Sequence, residues 1–177
     1  MANASSLRDL AERVLAGTAE GGEGSFTASA PRDLSRPFAL AAAWTARQAV
    51  TFQGDAVFLR VPAGVDVETP GRLRARIAPN GTRRTPMLAD AGETVWDSTI
   101  VLPPGLRATR LPPDIDLRTT AGRYAATYRA EGQEIRVRRH LVVDVNVVAP
   151  ESYPALEALL FAPIADARTA IELRRDE

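Results

Sequence analysis

The sequence predicts an all-β chain, an antiparallel β-sandwich with helix confined to its two ends. Three observations lead there. From Ser25 onward apolar residues recur at every second position, the period of a half-buried strand. Glycine and proline turns cut these runs into short lengths. A length of 177 residues, 45% of them hydrophobic, is enough to close a core without metal or disulfide staples.

At the start, "SSLRDLAERVLAG" reads as a helix. Ser6 and Asp9 have capping-box spacing, with Asp in place of the usual Glu or Gln. Leu7, Leu10, Val14 and Leu15 form one stripe, and Gly17 offers a stop. "TAEGGEGS" after it is a flexible linker. Residues 1–24 are therefore expected to be the tail of an upstream domain, and residues 25–177 the sandwich. The opening segment has early acids and no apolar core, so it does not read as a signal peptide.

In "PFALAAAWTA", Phe38, Leu40, Ala42 and Trp44 share a face, and "AVFLRVP" is a second apolar segment. "RLRARIA" sets Leu73, Ala75 and Ile77 against Arg72, Arg74 and Arg76. "PNGT" is a turn and a glycosylation sequon. "ETVWDSTIVLPPG" alternates Trp96, Ser98, Ile100 and Leu102 up to a Pro-Pro-Gly stop. "GRYAATYRAEGQEIRVRRHLVVDVNVV" is a long hairpin turning near Glu131-Gly132. In its second strand Ile135, Val137, Arg139, Leu141, Val143, Val145 and Val147 form the core face. Glu134, Arg136, Arg138, His140, Asp144 and Asn146 form the wet face. Arg139 is the one charge on the core face, where an unpaired charge is costly. Either a bulge near Arg138 turns it outward, or it lies inward on a carboxylate. The paired form is expected, with Asp97 as the acid.

Composition excludes several functions. Cysteine is absent, which removes thiolate nucleophiles, disulfides and Cys-type zinc sites. All 22 basic residues are arginine, and the net charge is zero. The middle of the chain, residues 70–140, carries 13 arginines against 7 acids between acidic ends, a charge that attracts an anionic partner. A neutral total argues against nucleic acid as that partner. No apolar run is long enough to span a membrane.

Individual candidates read more simply as structure than as chemistry. His140, the single imidazole, lies on the wet face rather than beside a serine or thiol. Asp144 with Asn146, and Asp114 with Asp116, lack the glycine turn and distal glutamate of a calcium loop. The row Arg72, Arg74, Arg76 reads as a solvated strand face. Trp44 and Trp96, in phase with apolar neighbours, read as core rather than sugar platforms. Tyr124, Ala126 and Tyr128 share a face and read as a packed patch. No catalytic, cofactor-binding or metal residue is assigned, and no cofactor is expected.

The order "IVLPPG", "RLPPDIDL", "IRVRRHL", "APESYPALEALL" and "AIEL", with "GSFTASAPRDLSRPF" and "RRTPML" upstream, resembles the C-terminal β domain of bacterial multidomain transglutaminase-like proteins. The likeness runs over roughly residues 25–174 and rests on order and spacing. It implies a helix opened by Glu151 or Ser152, with Pro154 in its first turn. Leu156, Leu159 and Leu160 would cover an open end of the sandwich, Pro163 would stop the helix, and Ile171 and Leu173 would add an edge strand. The family's catalytic Cys, His and Asp belong to a papain-like core, and this chain has no cysteine to receive that role. The resemblance thus implies a non-catalytic accessory domain that docks on that core or on another protein, in a periplasmic or secreted parent. The alternative is an independent extracytoplasmic module that binds glycan or peptide.

Overall fold

The computed structural model describes residues 22–30, 32–46, 49–54, 56–61 and 84–175. The expected N-terminal helix, its linker, the Arg72–Arg74–Arg76 row and the "PNGT" turn lie outside these residues. The chain divides into two units, Met1–Thr51 and Phe52–Glu177, and the division falls inside the short strand β3.

In the first unit β1 (Gly22–Ala28) pairs antiparallel with β2 (Leu40–Ala46). Leu40, Ala42, Trp44 and Ala46 alternate inward as the period predicts. Phe38 does not join them: it precedes the strand and is exposed.

Among the described residues there are two four-stranded antiparallel sheets, which lie in the second unit apart from the first two residues of β3. The first has the order β6 (Gly92–Val101), β10 (Glu134–Val143), β9 (Gly122–Glu131), β8 (Ile115–Thr119). The second has the order β3 (Val50–Gln53), β4 (Ala56–Arg60), β12 (Ala170–Arg175), β7 (Leu106–Arg110). A two-residue ladder joins β5 (Met87–Leu88) to β11 (Val147–Val148). Among the described residues this is the all-β, antiparallel sandwich the alternation predicts, with one α-helix, near its C-terminal end.

The β9–β10 hairpin closes where the sequence puts it. Glu131 opposes Glu134 across a two-residue loop whose Gly132 has φ 58°, a conformation glycine adopts without penalty. The expected core face holds from Ile135 to Val143 and then ends. The Asp144 N–H turns to the Ala121 carbonyl, and the chain leaves for β11, so Val147 is exposed rather than in the core.

A 3-10 turn at Pro150–Ser152 leads into helix α1 (Tyr153–Asp166), which lies against β8 and β9. Ser152 is the N-cap residue, without a side-chain cap, and Pro154 sits in the first turn, where its missing N–H has no intrahelical role. Leu156, Leu159 and Leu160 are buried as expected. Pro163 does not stop the helix. It stays in helical register inside the element, and its carbonyl accepts the Ala167 N–H at 3.0 Å. A proline removes one intrahelical bond, and the packing of the buried ring and last turn offsets that loss. The final strand also differs in position from expectation: β12 is bonded to β4 on one side and β7 on the other, so it lies inside its sheet. Ile171 and Leu173, both fully buried, fix it there.

Gly122 shows how closely α1 approaches this sheet. Its φ is 145°, and a Cβ there would run into the Val142 carbonyl oxygen and press on Leu159 Cδ2 at 3.0 Å. Gly122→Ala should therefore cost about 3 kcal/mol, combining backbone strain with overpacking. Urea unfolding of the variant against the parent chain measures it.

Candidate functional site

The chemistry of the described residues concentrates at one buried cluster. The β9–β10 register places Arg139 directly opposite Ala126, with Tyr124 and Tyr128 two residues to either side of that alanine. Diagonal neighbours in an antiparallel pair lie within reach of long side chains. The small Ala126 thus leaves room for the guanidinium, and the two phenols flank it. On the far side of Arg139 the β6 partner is Trp96, half-buried.

The last turn of α1 brings the acid. Asp166 is 1% exposed and Arg139 3%. Arg139 Nε donates to Asp166 Oδ2 at 2.7 Å, and the Tyr124 hydroxyl donates to the same oxygen at 2.6 Å. The Tyr128 hydroxyl donates to Asp166 Oδ1. Arg139 Nη2 stands 3.4 Å from the Tyr128 oxygen. A carboxylate in the last turn of a helix opposes the helix dipole, and the guanidinium and two phenols offset both that and desolvation. The Asp166 backbone carbonyl, an orphan of the helix end, accepts from the Thr169 N–H at 3.0 Å and from Thr169 Oγ1 at 2.7 Å.

Burial, the hydrogen bond to Asp166 and its negative charge push the ionisation of Tyr124 far above the ordinary tyrosine value of 10.0; Arg139 opposes this without reversing it. Burial and the Asp166 hydrogen bond raise Tyr128 as well. For Arg139, burial works against the charge, and Tyr128 and Asp166 outweigh it, so its pKa lies above the usual guanidinium value.

The expected pairing of Arg139 is therefore realised with a different acid. Asp97 lies on the wet face, where it meets Arg138 at 3.2 Å. Strand parity explains the correction, because Asp97 directly opposes Arg138 in the ladder and so points away from the core. No bulge is needed at Arg138.

The other candidates are dispersed. His140 Nε2 lies 2.6 Å from Glu93 Oε1 on the wet face. Asp114 accepts both arms of Arg129 at 2.9 and 2.7 Å and the Tyr128 N–H at 3.1 Å. Asp116 faces Arg118 at 3.5 Å, and Asp144 and Asn146 are exposed. Trp44 and Trp96 are half-buried. Among the described residues no three His, Asp or Glu side chains are grouped to hold a metal ion, and no helix is long and apolar enough to cross a membrane.

Residues 71–173, more than half of the chain, match the family described as a domain of unknown function with solved structure, DUF3858. The chain belongs to this family. The whole buried cluster lies inside the DUF3858 segment. No match appears among curated proteins. Among solved structures, the fold is similar to the crystal structure of "a putative protease from Parabacteroides distasonis ATCC 8503", with a TM-score of 0.54 and 14% identity. That match covers 68% of this chain but only 24% of the other, so the chain spans about a quarter of that protein's length.

Removing the acid should expose what the cluster contributes. Asp166→Ala strands a buried guanidinium and should cost about 3–5 kcal/mol, whereas replacing the whole cluster, Arg139→Met and Asp166→Leu together with Tyr124→Phe and Tyr128→Phe, should recover most of that loss. Chemical unfolding of the single and quadruple variants measures both.

Tyr124 and Tyr128 also predict an alkaline transition. Their folded pKa values exceed the unfolded ones, so their contribution is complete below pH 10 and is lost as pH rises toward the folded values. Absorbance at the tyrosinate band should show these two of the three tyrosines ionising only together with unfolding.

Proposed function

We propose that this DUF3858 chain is a non-catalytic accessory domain that docks on a papain-like catalytic core in a transglutaminase-like parent. One observation carries the reading. The acid, the base and the phenols with the most perturbed chemistry close on one another in the interior, with no more than 3% exposure at any of the four. They hold a helix to a sheet, and a substrate has no route to them. His140, Asp97, Asp114 and Asp116 sit in surface pairs, which contribute little individually.

Two further points support docking. A chain similar in fold to about a quarter of a longer protein named for protease activity fits a role beside a catalytic domain. Leu88 and Val147, cross-strand partners in the small β5–β11 ladder, are 70% and 60% exposed. An apolar pair displayed on a two-stranded ribbon loses that exposure when another domain covers it.

The test is direct. The coding sequence upstream of residue 1 should specify a papain-like core with Cys, His and Asp. The isolated chain should turn over neither a peptide amide nor a glutamine–amine transfer reaction. It should bind that core in trans, with Leu88→Asp and Val147→Asp weakening the complex at least tenfold. Turnover by the isolated chain, or unaltered binding by both variants, would refute the docking reading.

A further inference from the structure

β6 ends the first sheet. Its ladder to β10 runs unbroken from Gly92 to Val101, and among the described residues no strand bonds to its other side. The Leu102 N–H donates to the Gln133 carbonyl at the end of that ladder. Alternation then turns the even residues of β6 toward β10. It turns the backbone N–H and C=O of Val95, Asp97, Thr99 and Val101 toward the open edge. Edge strands are normally blunted by shortness, lysine, proline or a bulge. β6 is 10 residues long, contains neither lysine nor proline, and has no register shift.

Both faces of this edge are unfinished. The inward residues Thr94, Trp96, Ser98 and Ile100 are half-buried, whereas every ladder partner of theirs on β10 is buried. On the outer face Val95 is 40% and Val101 73% exposed.

We infer that β6 pairs antiparallel with β6 of a second copy of this chain, about a two-fold axis at Ser98, so that the first sheet of each copy continues into the other. The strand's own sequence selects this occupant and this register. Two-fold pairing sets each residue against another of the same strand, and inward residues must meet inward residues. About Ser98, Val95 lies opposite Val101, Trp96 opposite Ile100, and Asp97 opposite Thr99. The two exposed valines cover each other, and Trp96 with Ile100 extends the core. Neighbouring registers are worse. About Asp97 the two carboxylates would meet, and about Val95 Glu93 would meet Asp97. About Trp96, Asp97 would lie against Val95. About Thr99, Pro103 would enter the ladder opposite Val95, with no N–H to give. In the chosen register Asp97 meets no like charge, and Arg138 of its own chain holds it at 3.2 Å.

Pairing along one strand lies at the small end of interface sizes, so the dimer forms reversibly. It uses a surface other than the Leu88–Val147 pair, so this inference and the docking reading fail separately.

Sedimentation velocity of the chain between about 5 and 500 μM, a range that brackets a micromolar dissociation constant, decides it. A monomer–dimer equilibrium should appear. Thr99→Pro removes an outward N–H without breaking the β10 ladder and should weaken the dimer at least about tenfold, with the melting temperature kept. Val95→Lys with Val101→Lys sets like charges opposite each other and should weaken it similarly. Val95→Glu with Val101→Lys sets opposite charges there in both halves and should restore it. The chain has no cysteine, so Ser98→Cys puts one thiol per copy on the axis. Mild oxidation should link two copies through it, and Asp97→Cys should link them far less. A chain monomeric over the whole range would overturn the inference. So would a dimer indifferent to Thr99→Pro, or equal linking by the two cysteine variants. Thr99→Pro releasing a monomer from the upstream core would assign the edge to that core and refute the second copy.

Discussion

The interior of the second unit depends on one ion pair. Arg139 enters the core because strand alternation leaves it no other direction, and Asp166 reaches it because α1 continues one turn beyond Pro163. Neither charge is tolerable there alone. The pair, with Tyr124 and Tyr128 donating to the same carboxylate, makes the position of the helix end on the sheet a matter of hydrogen-bond geometry rather than of apolar contact alone. Leu156, Leu159 and Leu160 could slide by a fraction of a turn and stay buried. A carboxylate with three donors cannot.

The wet face of the same sheet has the opposite energetics. Arg138 with Asp97, Arg129 with Asp114 and Arg136 with Glu134 are all exposed pairs. Each is screened by water and salt, and each is worth little to stability. For Asp114 the Arg129 and Tyr128 hydrogen bonds hold its carboxyl below the ordinary carboxylate range, yet it remains in solvent. Charges on the solvent face of a sheet disfavour edge-to-edge pairing with other chains. The same residue type therefore does unrelated work at neighbouring positions, according to parity.

Much of this was legible in the sequence. Period-2 patterning and turn residues placed β2, β4, β6 and the β9–β10 hairpin, and the turn at Glu131-Gly132 fixed the register that sets Arg139 against Ala126. Parity also put Arg139 on the core face, where either a bulge turns it outward or a carboxylate pairs it, and the paired form is the one the structure has. Parity could have excluded Asp97, whose register partner is Arg138. Asp166 was hidden because it lies beyond Pro163, a residue read as a helix stop, and because contact between a strand and a helix end 27 residues away leaves no periodic trace. The signal was the composition of "PIADART", an acid in an otherwise apolar helix end. The interior place of β12 was likewise unreadable, since a five- or six-residue apolar strand looks alike at an edge and at a centre.

That central place governs how the protein is made. β12 joins β4 to β7, bonding Leu173 to Val57 across more than a hundred residues of chain. Pairings so distant in sequence form late and slowly, because the whole intervening loop must be closed first. During synthesis β4 and β7 both emerge before the strand that bridges them, and each waits with open backbone groups. The second sheet is therefore assembled only after residue 175 has left the ribosome. Until then the nascent chain presents two incomplete sheet edges, the state in which a chaperone is most needed.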